Sequence, residues 1–252
     1  MALEFRERRS SNYDQRSRAI DLVVLHYTGM QDAETALARL TDPEPKAGRY
    51  PGPWQAHDTD PNAPLARVSS HYVLDEAGVV YRVVDEAQRA WHAGASNWEG
   101  EGDVNARAIG IEIVNGGHDF GLPDFPDVQI EALIVLLRDI LARNKLAPSR
   151  VVAHSDIAPD RKLDPGEKFP WKRLAEAGVA IWPGAGGKPP TGDPVLFAQE
   201  RLAALGYGVT ASGVVDAQTK AALSAFQRRF RQGRVDGVAD EETLALLAAL
   251  SN

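Results

Sequence analysis

Val151-Val-Ala-His154-Ser-Asp156-Ile-Ala-Pro159-Asp-Arg161-Lys162-Leu-Asp164-Pro165-Gly166 is the stretch on which the reading of this chain turns. It opens as a short apolar strand, Val151–Ala153, that ends on His154 and gives way to a proline-bearing, charged loop. On an extended backbone, residues two apart project to the same side. Lys162 and Asp164 therefore present a cation and an anion together, near a histidine at a strand end. That is the beginning of a chemical site, and the rest of the chain is read for what completes it.

Upstream, Ile20–Leu25 is a nearly continuous apolar run that ends in His26-Tyr27-Thr28-Gly29. It predicts a buried strand with a polar residue at its C-terminal end. Ile109–Val114 predicts another. Ile109, Ile111 and Ile113 share one face, which puts Glu112 on the other beside Gly110 and Val114. A carboxylate inside so apolar a strand is costly unless it meets a partner or works. Ser70–Leu74 and Val79–Asp85 flank a glycine-bearing turn and predict a hairpin. Ile130, Leu133, Ile134, Leu137, Ile140 and Leu141 recur at helical spacing, which predicts a helix over Asp127–Asn144. Shorter helices are predicted over Asp32–Leu40, with Asp32 as N-cap, and around Trp171–Ala177. Alternating strands and helices indicate an α/β domain over residues 1–182. Residues 1–18, polar and rich in arginine, read as a surface lead-in. Thr41–Pro64, which holds Tyr50, Trp54 and His57, has no period and reads as a solvent-covered insertion rather than a substrate-lining wall.

Residues 183–193, rich in glycine and proline, form a linker by composition. The pattern beyond is helical only. Gly213-Val-Val-Asp216-Ala-Gln-Thr219 and Gly237-Val-Ala-Asp240-Glu-Glu-Thr243 echo each other, each with an aspartate N-cap after a glycine turn. With Phe197–Leu205 they predict a three-helix, all-α domain over 194–252, near the lower size limit for independent folding.

The net charge of −7 argues against a nucleic-acid partner or an anionic membrane surface. No apolar run reaches the length of a membrane span. The N-terminal residues lack the apolar core of a secretory signal, which makes a cytoplasmic location the expectation and a periplasmic or extracellular one the alternative. Cysteine is absent, so a metal site must draw on His, Asp or Glu.

His26, His154 and Asp164 are the candidates for such a site. Two imidazoles and one carboxylate suit a catalytic zinc that keeps a position for water. Glu112 could then serve as general base and Lys162 could stabilise an oxyanion, which together describes a metal-assisted amide hydrolase. Taken singly, each residue has a plainer reading. The histidines could be satisfied core side chains, Asp164 before Pro165 could start a turn, and Lys162 could be a solvated charge.

Five motifs in order decide between these readings: His26-Tyr27-Thr28, Ser70-His71-Tyr72, Ala90-Trp91-His92-Ala93-Gly94, Ile109-Gly110-Ile111-Glu112, and His154-Ser-Asp156 through Arg161-Lys162-Leu-Asp164-Pro165-Gly166. Over residues 15–182 the chain resembles the zinc-dependent N-acetylmuramoyl-L-alanine amidases of the second type, and among them the anhydromuramyl-peptide amidases. The resemblance implies a central mixed β-sheet flanked by helices. It also implies one zinc ion on His26, His154 and Asp164, with Glu112 activating water and Lys162 polarising the carbonyl. The bond cut would join N-acetylmuramic or 1,6-anhydro-N-acetylmuramic acid to L-alanine, with peptidoglycan or anhydro-muropeptides as partners. His92, Asn105 and Arg107 are candidate substrate contacts, with a solvated Arg107 as the alternative. His71 reads equally as a residue that holds the sheet together. Leu205-Gly206-Tyr207, Phe226-Gln227 and the echoed repeat resemble the small helical peptidoglycan-binding domain, which implies wall targeting or simple packing on the first domain. A non-catalytic peptidoglycan-recognition protein is the alternative function.

Overall fold

The computed structural model describes residues 2–50, 60, 62–184, 187–188 and 191–250. Trp54 and His57 of the predicted insertion lie outside the described residues.

In chain order the elements are β1 Phe5–Glu7, β2 Tyr13–Gln15, β3 Leu22–Tyr27, α1 Ala33–Thr41, β4 Tyr72–Leu74, β5 Val80–Arg82, β6 Gln88–Ala90, β7 Ala108–Ile113, α2 Asp127–Asn144, β8 Val151–Ala153, α3 His154–Ile157, α4 Trp171–Glu176, α5 Pro194–Leu205, α6 Ala217–Phe230 and α7 Glu241–Ala249. The main sheet has the order β1-β5-β4-β7-β3-β8. Only the β4–β5 hairpin is antiparallel, so the sheet is mixed with a parallel centre. The parallel centre explains the near-continuous apolar runs, because both faces of β3 and β7 are covered. Val23, Leu25, Ile109, Ile111 and Ile113 pack against Ile130, Leu133, Leu137 and Ile140 of α2 and against Phe169 and Trp171. Leu22, Val24 and Val152 face the other way and join Phe226 and Phe230 of the C-terminal helices in a second core.

Three sequence-based expectations change. The arginine-rich lead-in is structured: β1 extends the sheet as an edge strand beside β5, and β2 pairs with β6. All six residues of β1 and β2 are exposed, so these strands carry no apolar alternation to betray them. The stretch after β8 does not begin as a loop: His154–Ile157 forms one helical turn, with Asp156 Oδ2 accepting the Ala153 N–H at 2.8 Å. The insertion is not loose at its start either. Tyr50 is buried, its hydroxyl on Asp42 and on the Ala38 carbonyl, and Lys46 bridges to Pro64.

The C-terminal helices are built twice on one plan. Asp216 and Asp240 cap α6 and α7 by accepting the N–H groups of Thr219 and Thr243. Buried Gln199 accepts from Ser212 and Gly213 and donates to Val214 O and Thr219 Oγ1. Gln227 does the same for Asp236, Gly237, Val238 and Thr243. A buried amide that satisfies four backbone and side-chain groups fixes each loop against its helix.

Candidate metal centre and active-site cleft

Parallel pairing of β3 with β7 sets His26 beside Glu112 in register. Leu25, Ile111 and Ile113 point into the α2 core, so His26 and Glu112 project to the opposite face. β8 flanks β3 on its other side and ends at Ala153, which brings His154 out next to His26. Asp164 returns to the same place because its carbonyl accepts the Ser155 N–H at 3.0 Å. The site thus forms at the C-terminal ends of parallel strands, where open α/β sheets place ligands.

The three side chains form a triangle. His26 Nδ1 lies 2.9 Å from His154 Nδ1 and 3.1 Å from Asp164 Oδ2, and His154 Nδ1 lies 2.9 Å from the same oxygen. Each Nδ1 has a single in-plane valence, proton or lone pair, and an ionised carboxylate only accepts. Protons therefore cannot satisfy all three edges at once. A divalent ion can, since it accepts three converging lone pairs and leaves a position open for water. Ligands around a tetrahedral zinc sit roughly 3.3 Å apart, close to the spacing already present.

The far side of each imidazole is also held, which fixes its tautomer and aim. His26 Nε2 meets His92 Nδ1 at 3.0 Å, and His154 Nε2 meets the Ala93 carbonyl at 3.1 Å. Asn105 Oδ1 accepts the N–H groups of both His92 and Ala93, at 3.0 and 2.8 Å. Arg161 donates to the Ala93 and Ala95 carbonyls and so ties this loop to the one carrying Asp164. His71 Nδ1 accepts the Gly110 N–H at 2.9 Å and its Nε2 lies 3.2 Å from the Gln88 carbonyl, linking strands β7 and β6.

Burial, reinforced by facing His154, lowers the pKa of His26 to about 4, so it is neutral with its lone pair free at neutral pH. Burial alone would raise Asp164, but His154 and His26 outweigh it and hold the carboxyl below its usual range. Glu112 goes the other way: burial, then the charge of Asp164, pushes it well above the ordinary carboxylate value, with Lys162 opposing. Its Oε2 is buried with no hydrogen-bond partner. A cleft of about 390 Å³ opens over these groups, lined by His26, Glu112, His154, Lys162 and Asp164 together with Trp91 and His92.

Arg107 is not part of it. It precedes the N-terminal end of β7, whereas the cleft lies at the C-terminal end. Its side chain is 5% exposed and pairs with Asp21 at 2.6 Å, Glu99 at 2.9 Å and Glu101 at 3.4 Å. Both expectations for it, substrate contact and solvation, are therefore corrected: Arg107 ties the loop before β7 to the segment that leads into β3. Asn105 fastens the 92–93 loop, because its acceptor oxygen is occupied by backbone. Sequence reading missed Tyr27 and His118 as cleft residues. The Tyr27 hydroxyl lies 3.0 Å from His118 Nδ1, and His118 Nε2 lies 3.0 Å from Glu167. Tyr27 adjoins a ligand and was within reach; His118 sits in an aperiodic, glycine-rich turn with no signal of its own.

With this geometry in hand, comparison with known proteins is specific. The profile of the N-acetylmuramoyl-L-alanine amidase family matches residues 16–167, and that of a peptidoglycan binding domain matches 191–247. The chain is 36% identical over 251 residues to N-acetylmuramoyl-L-alanine amidase AmiD of Escherichia coli K12, covering 92% of this chain and 82% of the relative. It is 32% identical over 178 residues to the 1,6-anhydro-N-acetylmuramyl-L-alanine amidase AmpD of Haemophilus influenzae, covering 67% and 89%. Among solved structures, the E. coli AmiD complex with anhydro-N-acetylmuramic acid-L-Ala-D-γ-Glu-L-Lys superposes with a TM-score of 0.74 at 35% identity, covering 92% of this chain and 88% of that one. AmpDh3 of Pseudomonas aeruginosa in complex with anhydromuramic pentapeptide gives 0.72 at 33% identity, covering 95% and 93%. The chain belongs to the N-acetylmuramoyl-L-alanine amidase family, enzymes that hydrolyse the amide between N-acetylmuramic acid and L-alanine.

Proposed function

We propose that this amidase holds one zinc ion on His26, His154 and Asp164 and uses it to cleave muramyl-peptides, including those with a 1,6-anhydro sugar. The observation that carries this reading is the triangle of donor atoms, whose edges protons cannot all satisfy. Zinc bound there would supply a Lewis acid and acidify a water molecule.

The remaining work falls to side chains. Glu112, beside His26 with an unpartnered buried oxygen, takes a proton from the attacking water and returns it to the departing alanine nitrogen. Its raised pKa in the metal-free site is answered by the added positive charge, which favours the ionised form the base needs. Lys162 on the cleft wall stabilises the negative charge that develops on the carbonyl oxygen. When His26 Nδ1 faces the ion, its Nε2–H donates to His92 Nδ1, and His92 Nε2 remains an N–H donor without a protein partner. Three cations, Arg39, Arg161 and Lys162, line the cleft with three acids, Glu112, Asp119 and Asp164. The relatives solved with anhydromuramyl-peptides support the same substrate class.

The test compares turnover of a soluble anhydromuramyl-tripeptide with that of intact sacculi, with products identified by mass spectrometry. Release of free stem peptide from the soluble substrate is the expected result. Cleavage at any bond other than the lactyl–alanine amide contradicts the proposal.

A further inference from the structure

The second helix after the linker, α6, touches the loop that carries two of the three metal-binding side chains. His154 and Asp164 bound that loop, and two acids stand on its two arms: Asp156 in the turn after His154, and Glu167 just past Asp164. Consecutive arginines of α6 meet them. Arg229 Nη1 lies 2.7 Å from Asp156 Oδ2, and its Nη2 donates to the Val151 carbonyl at 2.9 Å. Arg229 Cζ also lies 4.3 Å above the Trp171 ring. The Tyr207 hydroxyl donates to the other oxygen of Asp156 at 2.6 Å. Arg228 Nε lies 3.7 Å from Glu167 Oε2, the oxygen that also meets His118 on the cleft wall.

The Asp156 cluster is buried, whereas Glu167 is 34% exposed. Asp156 is 0% exposed, Arg229 3% and Tyr207 4%. Asp156 Oδ2 also accepts the Ala153 N–H, which sets the turn that aims His154. One carboxylate thus receives a backbone amide from the metal-site turn, a guanidinium from α6 and a phenol from the segment after α5.

We propose that Arg229, with Tyr207 and Arg228, positions the metal site: the helical C-terminal domain is a clamp on the 154–167 loop as well as whatever it does at the wall. This rests on the reading of His26, His154 and Asp164 as metal ligands. A surface module that served only to target the wall would have no reason to bury two arginines against the acids of a catalytic loop. Charge-paired burial of this kind fixes one docking geometry, because any other leaves an uncompensated charge inside.

The experiment titrates metal-stripped full-length protein with zinc in competition with a chromophoric chelator, alongside circular dichroism and thermal melting. Arg229→Met and Asp156→Asn are expected to bind zinc about 10-fold more weakly or worse while remaining folded, the size of loss seen when outer supports of a metal site are removed. Arg229→Lys, which keeps the charge but not the fork, is expected to recover part of the affinity. Gln232→Ala removes an interface hydrogen bond to the Phe169 carbonyl outside the 154–167 loop and is expected to bind as the unaltered protein does. Should Arg229→Met not fold, Tyr207→Phe carries the test, since it deletes one hydroxyl and keeps the packing. Folded variants with unchanged zinc affinity would overturn the clamp. An unaltered protein that takes up no zinc would overturn the metal reading instead.

Discussion

Gly110→Ala is the smallest change predicted to disable the metal site from outside it. Gly110 lies in β7 at an ordinary strand φ, so its lack of a side chain serves space rather than backbone freedom. A Cβ added there would lie 2.6 Å from His92 Cδ2 and 2.7 Å from Nδ1, where ordinary contact begins at 3.4 Å. The nearest ring atom, His92 Cγ, is closer still, so the ring must retreat by about 1 Å or the strand must shift. His92 Nδ1 stands 3.0 Å from His26 Nε2, so a retreat of that size breaks the hydrogen bond that orients the ligand. Two costs follow. Overpacking lowers stability by about 1–3 kcal/mol, and loss of the outer support weakens metal binding by roughly 10–100-fold. The assay is competitive zinc titration with a thermal melt of the metal-free protein. The double variant Gly110→Ala/His92→Ala separates the two costs: relief of the clash restores stability, while zinc affinity stays low because the hydrogen bond is still missing. An alanine at 110 that leaves zinc affinity unchanged would refute the role given to His92.

Three further outcomes are expected. Glu112→Gln should keep one bound metal ion and lose about 10²–10⁴-fold in kcat, the range for a general base; undiminished turnover would remove Glu112 from the chemistry. Arg107→Met should lower stability by about 2 kcal/mol, less than a fully buried pair because its acids are partly exposed, with KM unchanged; a raised KM at unchanged melting temperature would return Arg107 to the substrate. Metal-free protein should be acid-labile, because His26 and His71 have folded-state pKa values of about 4 and about 3, lowered mainly by burial. Each binds a proton in the unfolded chain near pH 6.5 but not in the folded one, so stability is full above about pH 6.5 and falls toward pH 4 and then 3. His26 alone accounts for about 3 kcal/mol of that loss, and an unfolding free energy flat from pH 7 to 4 would contradict it.

What the sequence disclosed follows from where physical constraint is dense. The α2 helix and the β3 and β7 strands were legible because a two-sided core forces apolar periodicity on them. Glu112 stood out because a carboxylate in such a strand is expensive, and the structure puts it at the register position beside His26. β1 and β2 were not legible because exposed edge strands are selected by backbone pairing alone. Arg107 misled, and Arg228 and Arg229 drew no notice, for one shared reason: an arginine looks solvated until its acids are known, and Asp21, Glu99, Asp156 and Glu167 come from distant parts of the chain. Gln199 and Gln227 were invisible as a pair because their partners are mainly backbone groups, which a sequence does not display. The fastening of the 92–93 loop by Asn105 was likewise hidden, although the residue itself was singled out.

The central claim is that His26, His154 and Asp164 act as one metal site on which cleavage depends. The direct measurement is to add zinc stepwise to chelator-stripped protein and follow bound ion and cleavage of an anhydromuramyl-peptide in the same samples. Both should rise together and level off at one ion per chain, and Asp164→Ala should abolish both. Full cleavage by protein without bound metal, or an Asp164→Ala variant that binds and cleaves undiminished, would contradict the account.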